Sequence, residues 1–137
     1  MISRRICWVI MAVCFVLMPQ DVPALQKVAI CFDHTGNDSV GSRLAYKVKE
    51  GIRRSVGLRL TNKDDAKAIM HLGTIDLVDE HPGSATAFAY TLTFRSADGP
   101  EIYIAGGVGK SGTNRVNESA EELVAFIDRE VDFRRPK

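Results

Sequence analysis

The stretch Thr86-Ala-Phe-Ala-Tyr-Thr-Leu-Thr-Phe-Arg-Ser96 alternates without a break. Phe88, Tyr90, Leu92 and Phe94 fill one set of alternate positions, and Ala87, Ala89, Thr91, Thr93 and Arg95 fill the other. Successive side chains of a strand point to opposite faces, so this segment predicts a strand with one apolar face and one small or polar face. The rest of the chain must cover the apolar side. From Ser39 to Ser55, Val40, Leu44, Val48 and Ile52 recur every four residues, with Ala45 beside them. Arg43, Lys47, Lys49, Glu50, Arg53 and Arg54 cover the other faces, as in an amphipathic helix. Ser119-Ala-Glu-Glu122 has the form of a capping box and predicts a second helix starting near Ser119. Its apolar stripe is Leu123, Val124, Ile127 and Val131, extended by Phe133, before a polar tail at 134–137.

Between these landmarks, Lys27–Phe32 reads as a strand buried on both faces, and Asp33–Asp38 as a turn. Gly57 stands where a helix C-cap glycine belongs. Leu58–Leu60 predicts a short strand and Ala68–Val78 a third, followed by a loop at Asp79–Ser84. After the alternating strand, Asp98-Gly99 signals a tight hairpin turn. Glu101–Ala105 is a fifth strand, and Gly106–Asn114 a glycine-rich loop. The order β-α-β-β-β-β-α predicts an α+β fold, a two-layer sandwich with both helices on one face of a mixed sheet. The first two strands should be parallel with a right-handed crossover, and the last three an antiparallel meander. No repeat or linker divides the chain.

The N-terminus sets the expected compartment. A basic segment (Met1–Arg5), an apolar run (Ile6–Met18) and small residues at Val22 and Ala24 follow the plan of a secretory signal peptide. The apolar run is shorter than the roughly 20 residues of a membrane-crossing helix. Residues 1–24 are therefore read as the signal and 25–137 as a single domain, periplasmic or secreted, with no stable membrane insertion after cleavage. Cys14 lies inside the apolar run, in the wrong setting for a lipidated cysteine. The chain has 18 basic and 17 acidic residues; Arg4, Arg5 and Asp21 leave with the signal, so the mature part is formally neutral. Neutrality gives no electrostatic reason to expect nucleic acid. Cys31 is the one cysteine of the mature chain and reads as buried filler.

Ile104-Ala-Gly-Gly-Val-Gly-Lys-Ser-Gly112 resembles a phosphate loop at first sight. A Walker loop needs glycine five residues before the Gly of Gly-Lys-Ser, but that position is Ile104. The lysine must also open a helix, and the helix signal comes only near Ser119. Nucleotide binding is not expected, and no cofactor is implied. His34, His71 and His81 lie in separate segments without the spacing of a metal-binding helix, so no metal site is expected. Cys31 and His34 sit three apart on one strand and should diverge, and no nucleophile elbow is present. The chain is expected not to be an enzyme. Asn37-Asp-Ser39 and Asn117-Glu-Ser119 match the glycosylation pattern, but both asparagines read as helix-start residues.

Val28-Ala-Ile-Cys-Phe-Asp-His-Thr-Gly36 resembles the opening strand and polar-Thr-Gly turn of a group of small bacterial envelope domains. The N-terminal domain of TolB, CsgG and LpoB belong to this group. The helix of Leu44–Ile52, the pair Asp65-Ala66, the glycine-bearing Ile69–Asp76 and the aromatic strand with Asp98-Gly99 continue the resemblance, which covers roughly Lys27 to Ala105. It implies a non-enzymatic periplasmic domain working by protein contact, with no functional residue carried over.

The expected function is thus a secreted or periplasmic protein-binding module that meets an envelope component through its open sheet face or an edge strand. The candidate contacts are Thr91, Thr93 and Arg95 on the outer face and Lys110, Asn114 and Arg115 in the glycine loop. The alternatives are an inhibitor or immunity-type protein blocking a secreted hydrolase with the loop at 79–84 or at 106–114, and a carrier of a small ligand or metal.

Overall fold

The computed structural model describes residues 26–77, 83–96 and 99–133. The expected signal segment, His81, most of the loop at 79–84, the hairpin-turn residues 97–98 and the tail at 134–137 lie outside the described residues. The chain runs β1 (Val28–Thr35), α1 (Ser39–Arg54), β2 (Leu58–Leu60), β3 (Ala68–Asp76), β4 (Ala85–Arg95), β5 (Glu101–Gly112) and α2 (Val116–Asp132). One sheet holds the five strands in the order β2-β1-β3-β4-β5. β1 is parallel to both its neighbours, while β3, β4 and β5 form the antiparallel meander. The fold is the expected α+β two-layer sandwich, with both helices against one face of the sheet.

The helix stripes become the core. Val40, Leu44, Val48 and Ile52 of α1, with Leu123, Ile127 and Val131 of α2, are buried against Ile30, Leu58, Met70, Leu72 and Leu92 of the sheet. The helices meet at Gly51, where an added Cβ would stand 2.6 Å from a Val124 methyl. The β4 aromatics face the helices as predicted, and Tyr90 meets Phe126 of α2 edge to face at 5.0 Å.

Five local expectations fail, most of them because tertiary packing overrides a local signal. β1 continues through Asp33, His34 and Thr35, read as a turn, because these residues pair with His71, Leu72 and Gly73. The same strand is not buried on both faces: Ala29, Ile30 and Phe32 are buried, but Cys31 is only half-buried and Asp33 is exposed. Gly57 does not cap α1. Ser55 does so in an extended conformation, its N–H donating to Gly51 and Ile52 carbonyls and its Oγ accepting from the N–H groups of Gly57 and Leu58. The Ser119 capping box does not form either. α2 begins at Val116, which is buried, and Ser119 lies inside the helix with its hydroxyl 3.0 Å from that of Ser111. Phe133 does not extend the stripe; it lies past the helix end, 88% exposed. The largest departure, in β5, shapes the candidate site.

α1 is capped by Asp38, whose Oδ2 accepts from the Gly41 N–H at 2.6 Å. Burial raises the Asp38 pKa, but the Thr74 hydroxyl, the Gly41 N–H and the Thr86 hydroxyl outweigh it and hold the carboxyl below its ordinary 3.8. Gly36, just before the cap, has φ of 140° and packs against Thr74, a place closed to any side chain.

Two stability predictions follow from this packing. Leu44→Ala, in a fully buried position, should cost about 2–5 kcal/mol in urea denaturation. Asp38→Ala should cost about 1 kcal/mol near neutral pH. Because the folded carboxyl titrates below the unfolded one, its contribution is complete above the unfolded value and is lost as pH falls through the folded value. The gap between the two proteins should therefore close as the solution is acidified below 3.8.

Candidate functional site: the open face of the sheet

β5 is not a short strand followed by a loop. It runs on through the glycines to Gly112, paired with β4 along its length. The glycines fit because the β4 aromatics need room. Tyr90 pairs with Gly107 and Phe88 with Gly109. A Cβ at Gly107 would stand 2.7 Å from the Tyr90 hydroxyl, and one at Gly109 would stand 2.5 Å from the Phe88 ring. Each aromatic lies across the bare backbone of its partner. The pairing slips once, between Leu92 opposite Ala105 and Thr93 opposite Tyr103, so Ile104 is the extra residue of a β-bulge. The strand excludes the phosphate-loop geometry directly, since these N–H groups belong to an extended ladder and not to a loop entering a helix.

The ladder registers define the uncovered face in rows. One row runs Cys31, Ile69, Thr93, Tyr103; the next runs Asp33, His71, Thr91, Gly106. Further down come Thr35, Gly73, Ala89, Val108 and then Ile75, Ala87, Lys110. The face therefore has two halves of different chemistry.

The first half is polar. His71 Nδ1 lies 3.3 Å from Asp33 Oδ2, and its Nε2 lies 3.9 Å from Glu101 Oε2. Lys63 Nζ stands 3.6 Å from Glu101 Oε1. The Thr93 hydroxyl donates to Glu101 at 3.4 Å, and Arg95 donates to the Lys63 carbonyl at 2.8 Å. This last bond draws the segment before β3 towards the face, where Ile69 is fully buried. Burial, and secondarily Asp33, pushes the Cys31 thiol up, the opposite of what a thiolate nucleophile needs. His34 pairs with Leu72 on the helix side and reaches Thr74 Oγ1 at 3.0 Å, so it diverges from Cys31. Among the described residues no group of three or more His, Cys, Asp or Glu is placed to hold a metal ion.

The second half is apolar. Gly73, Ala87 and Ala89 leave a low floor between Ile75, 67% exposed, and Val108, 85% exposed. The result is a shallow open groove of about 810 Å³, rimmed by Thr35 and Lys110.

The six candidate residues separate into two places. Thr91, Thr93, Arg95 and Lys110 all stand on the open face, Lys110 at the rim of the groove. Asn114 and Arg115 lie in the turn before α2, away from it. Arg115 is engaged by its own chain, donating through Nε and Nη2 to Glu118 at 2.8 and 2.9 Å. Sequence reading missed Ile75, Gly73, Ala87, Ala89 and Val108 as one surface. The available signal was the alternation of Gly107, Gly109 and Ser111 with Val108 and Lys110, which has a strand's period of two.

No protein-family model matches the chain, and no curated protein matches its sequence. Solved structures do resemble it. The hypothetical protein CT253 from Chlamydia trachomatis gives a TM-score of 0.53 at 9% identity, covering 77% of this chain and 98% of that one. Protein XCC0632 from Xanthomonas campestris (DUF330) gives 0.47 at 10% identity over 82% of this chain and 85% of its own. A minor lipoprotein from Acinetobacter baumannii gives 0.39 at 13% identity over 75% and 94%. These neighbours are bacterial proteins, and the first shows the shared fold. The resemblance to TolB, CsgG and LpoB stays one of sequence pattern. Among the described residues no helix is long and apolar enough to cross a membrane.

A strand and a flexible loop respond differently to side chains at the glycines. Gly109→Ala should lower stability by about 1–3 kcal/mol, because Phe88 must leave its place. Thermal denaturation of this variant beside Gly112→Ala, where an added Cβ meets nothing closer than 3.8 Å, checks the assignment.

Proposed function

We propose that this protein is a non-enzymatic binding module of the bacterial envelope, and that its open sheet face receives another protein. The observation that carries the reading is the groove between Ile75 and Val108, an apolar surface left uncovered beside a polar field of Asp33, His71 and Thr91. Exposed apolar ground bordered by polar residues is the usual form of a protein contact surface. The floor of glycine and alanine accepts protruding apolar side chains of a partner, and Thr91 in the adjoining row offers a hydrogen-bonding group, with Thr93 and Arg95 farther along the same face. The raised Cys31 thiol and the placement of His34 on the helix side, away from Cys31, favour contact over catalysis. The envelope setting rests on the N-terminal sequence pattern.

Ala89 lies exposed in the middle of the groove. Ala89→Arg should abolish capture of the partner from a cross-linked envelope extract while leaving the melting temperature within about 1 °C, as expected for a surface substitution. Retained capture by this variant excludes the groove. A melting temperature raised by small apolar molecules, with no protein captured, assigns it to a ligand instead.

A further inference from the structure

β5 forms one long edge of the sheet, and among the described residues no strand pairs with its outer side. It carries Ile102, Tyr103 and Val108, which are 55%, 64% and 85% exposed. Edge strands of this length are normally blunted by proline, by short length or by repeated charge. β5 has no proline and only two charged residues, Glu101 and Lys110. The position of those two charges matters. They are an odd number of residues apart, so on a regular strand they would face opposite sides of the sheet. The bulge at Ile104 absorbs one residue, and both Glu101 and Lys110 therefore stand on the open face, opposite Arg95 and Ala87 of β4. Tyr103 and Val108 are brought to the same face in the same way, opposite Thr93 and Ala89.

With that correction the strand is self-complementary about Gly106. Laid antiparallel against a copy of itself, Gly106 meets Gly106, Ala105 meets Gly107, Tyr103 meets Val108, Ile102 meets Gly109 and Glu101 meets Lys110. Each lateral pair occurs twice. Opposite charges and aromatic with β-branched residues are favourable cross-strand pairs. Glu101 keeps capacity for the second cation, since a carboxylate offers about four acceptor sites and its own-chain cations stand no closer than 3.6 Å. Lys110 is exposed, and the bulge is what aims it.

We infer that the protein is a homodimer in which β5 pairs antiparallel with β5 of a second copy across a two-fold axis at Gly106, joining the two sheets into one. The second copy is the occupant because a single register satisfies both charges and both exposed apolar pairs at once. In the dimer the two open faces become one continuous surface. The inference does not depend on what fills the groove.

The test is the solution mass of the purified full-chain protein, measured by sedimentation across a concentration series, with circular dichroism as the check on folding. The expected mass is that of two chains. Lys110→Glu alone should weaken the dimer at least ~10-fold, because it sets like charges opposite each other twice. Glu101→Lys alone should do the same, and an equimolar mixture of the two variants should restore a dimer, now mixed, because both ends are again complementary. If Glu101→Lys loses its fold, Val108→Asp, at a solvent-exposed position opposite Tyr103 of the second copy, replaces it and should also yield monomers. A monomeric mass up to on the order of 100 μM, a dimer unchanged by Lys110→Glu, or a mixture that stays monomeric overturns the inference. Loss of partner capture by Ala89→Arg with the dimer intact separates this result from the fate of the groove.

Discussion

Two helices cannot cover both faces of a five-stranded sheet. The rest of the structure follows from where they lie. The apolar residues of β1, β3 and β4 collect on the side that α1 and α2 reach, and the side they leave must do without a packed core. On that free side the chain uses alanine, glycine and threonine where it has no partner, and it places Asp33, His71 and Glu101 where they satisfy one another. The crowding appears on the helix side of the meander, where Phe88 and Tyr90 are too large for side chains opposite them. Gly107 and Gly109 meet that need, so the glycines that look like a flexible loop in the sequence are a consequence of aromatic packing.

The parts of the fold that were legible in the sequence are those whose information is local. The four-residue recurrence of Val40, Leu44, Val48 and Ile52 predicts α1, and the alternation around Tyr90 predicts both β4 and the side it buries. What was not legible depends on partners distant in the chain. Asp33-His-Thr35 has turn-forming residues, yet it is strand because His71 and its neighbours lie beside it. Gly106–Gly112 has a loop's composition, yet it is strand because β4 offers a ladder and rings that fill the space of absent side chains. The start of α2 moves forward from Ser119 because Val116 has a buried seat.

The candidate surface shows the same division. Thr91, Thr93 and Arg95 were placed on the outer face by parity alone, and they are there. The groove was hidden because its walls come from Ile75 and Val108, on strands that are not neighbours in the sheet, with β4 supplying the floor between them. No single segment carries that juxtaposition. Only the registers of β3 with β4 and of β4 with β5 create it. Of the three residues read into the glycine loop, Lys110 is on β5, while Asn114 and Arg115 belong to the turn that starts α2.

The position of β1, between β2 and β3 in the sheet, has a consequence in time. It is the first strand to leave the ribosome, but its neighbour on one side is β3, whose last pairing residue, Gly73, is made 38 residues after Thr35. Until β3 is synthesised, β1 has only the three-residue β2 to bond with and α1 to lie against. The meander, by contrast, joins strands that are adjacent in the chain and needs only short loops to close. The growing polypeptide therefore cannot lock its sheet early. It stays open through the first half of translation and closes only when β1 receives β3 as its second neighbour.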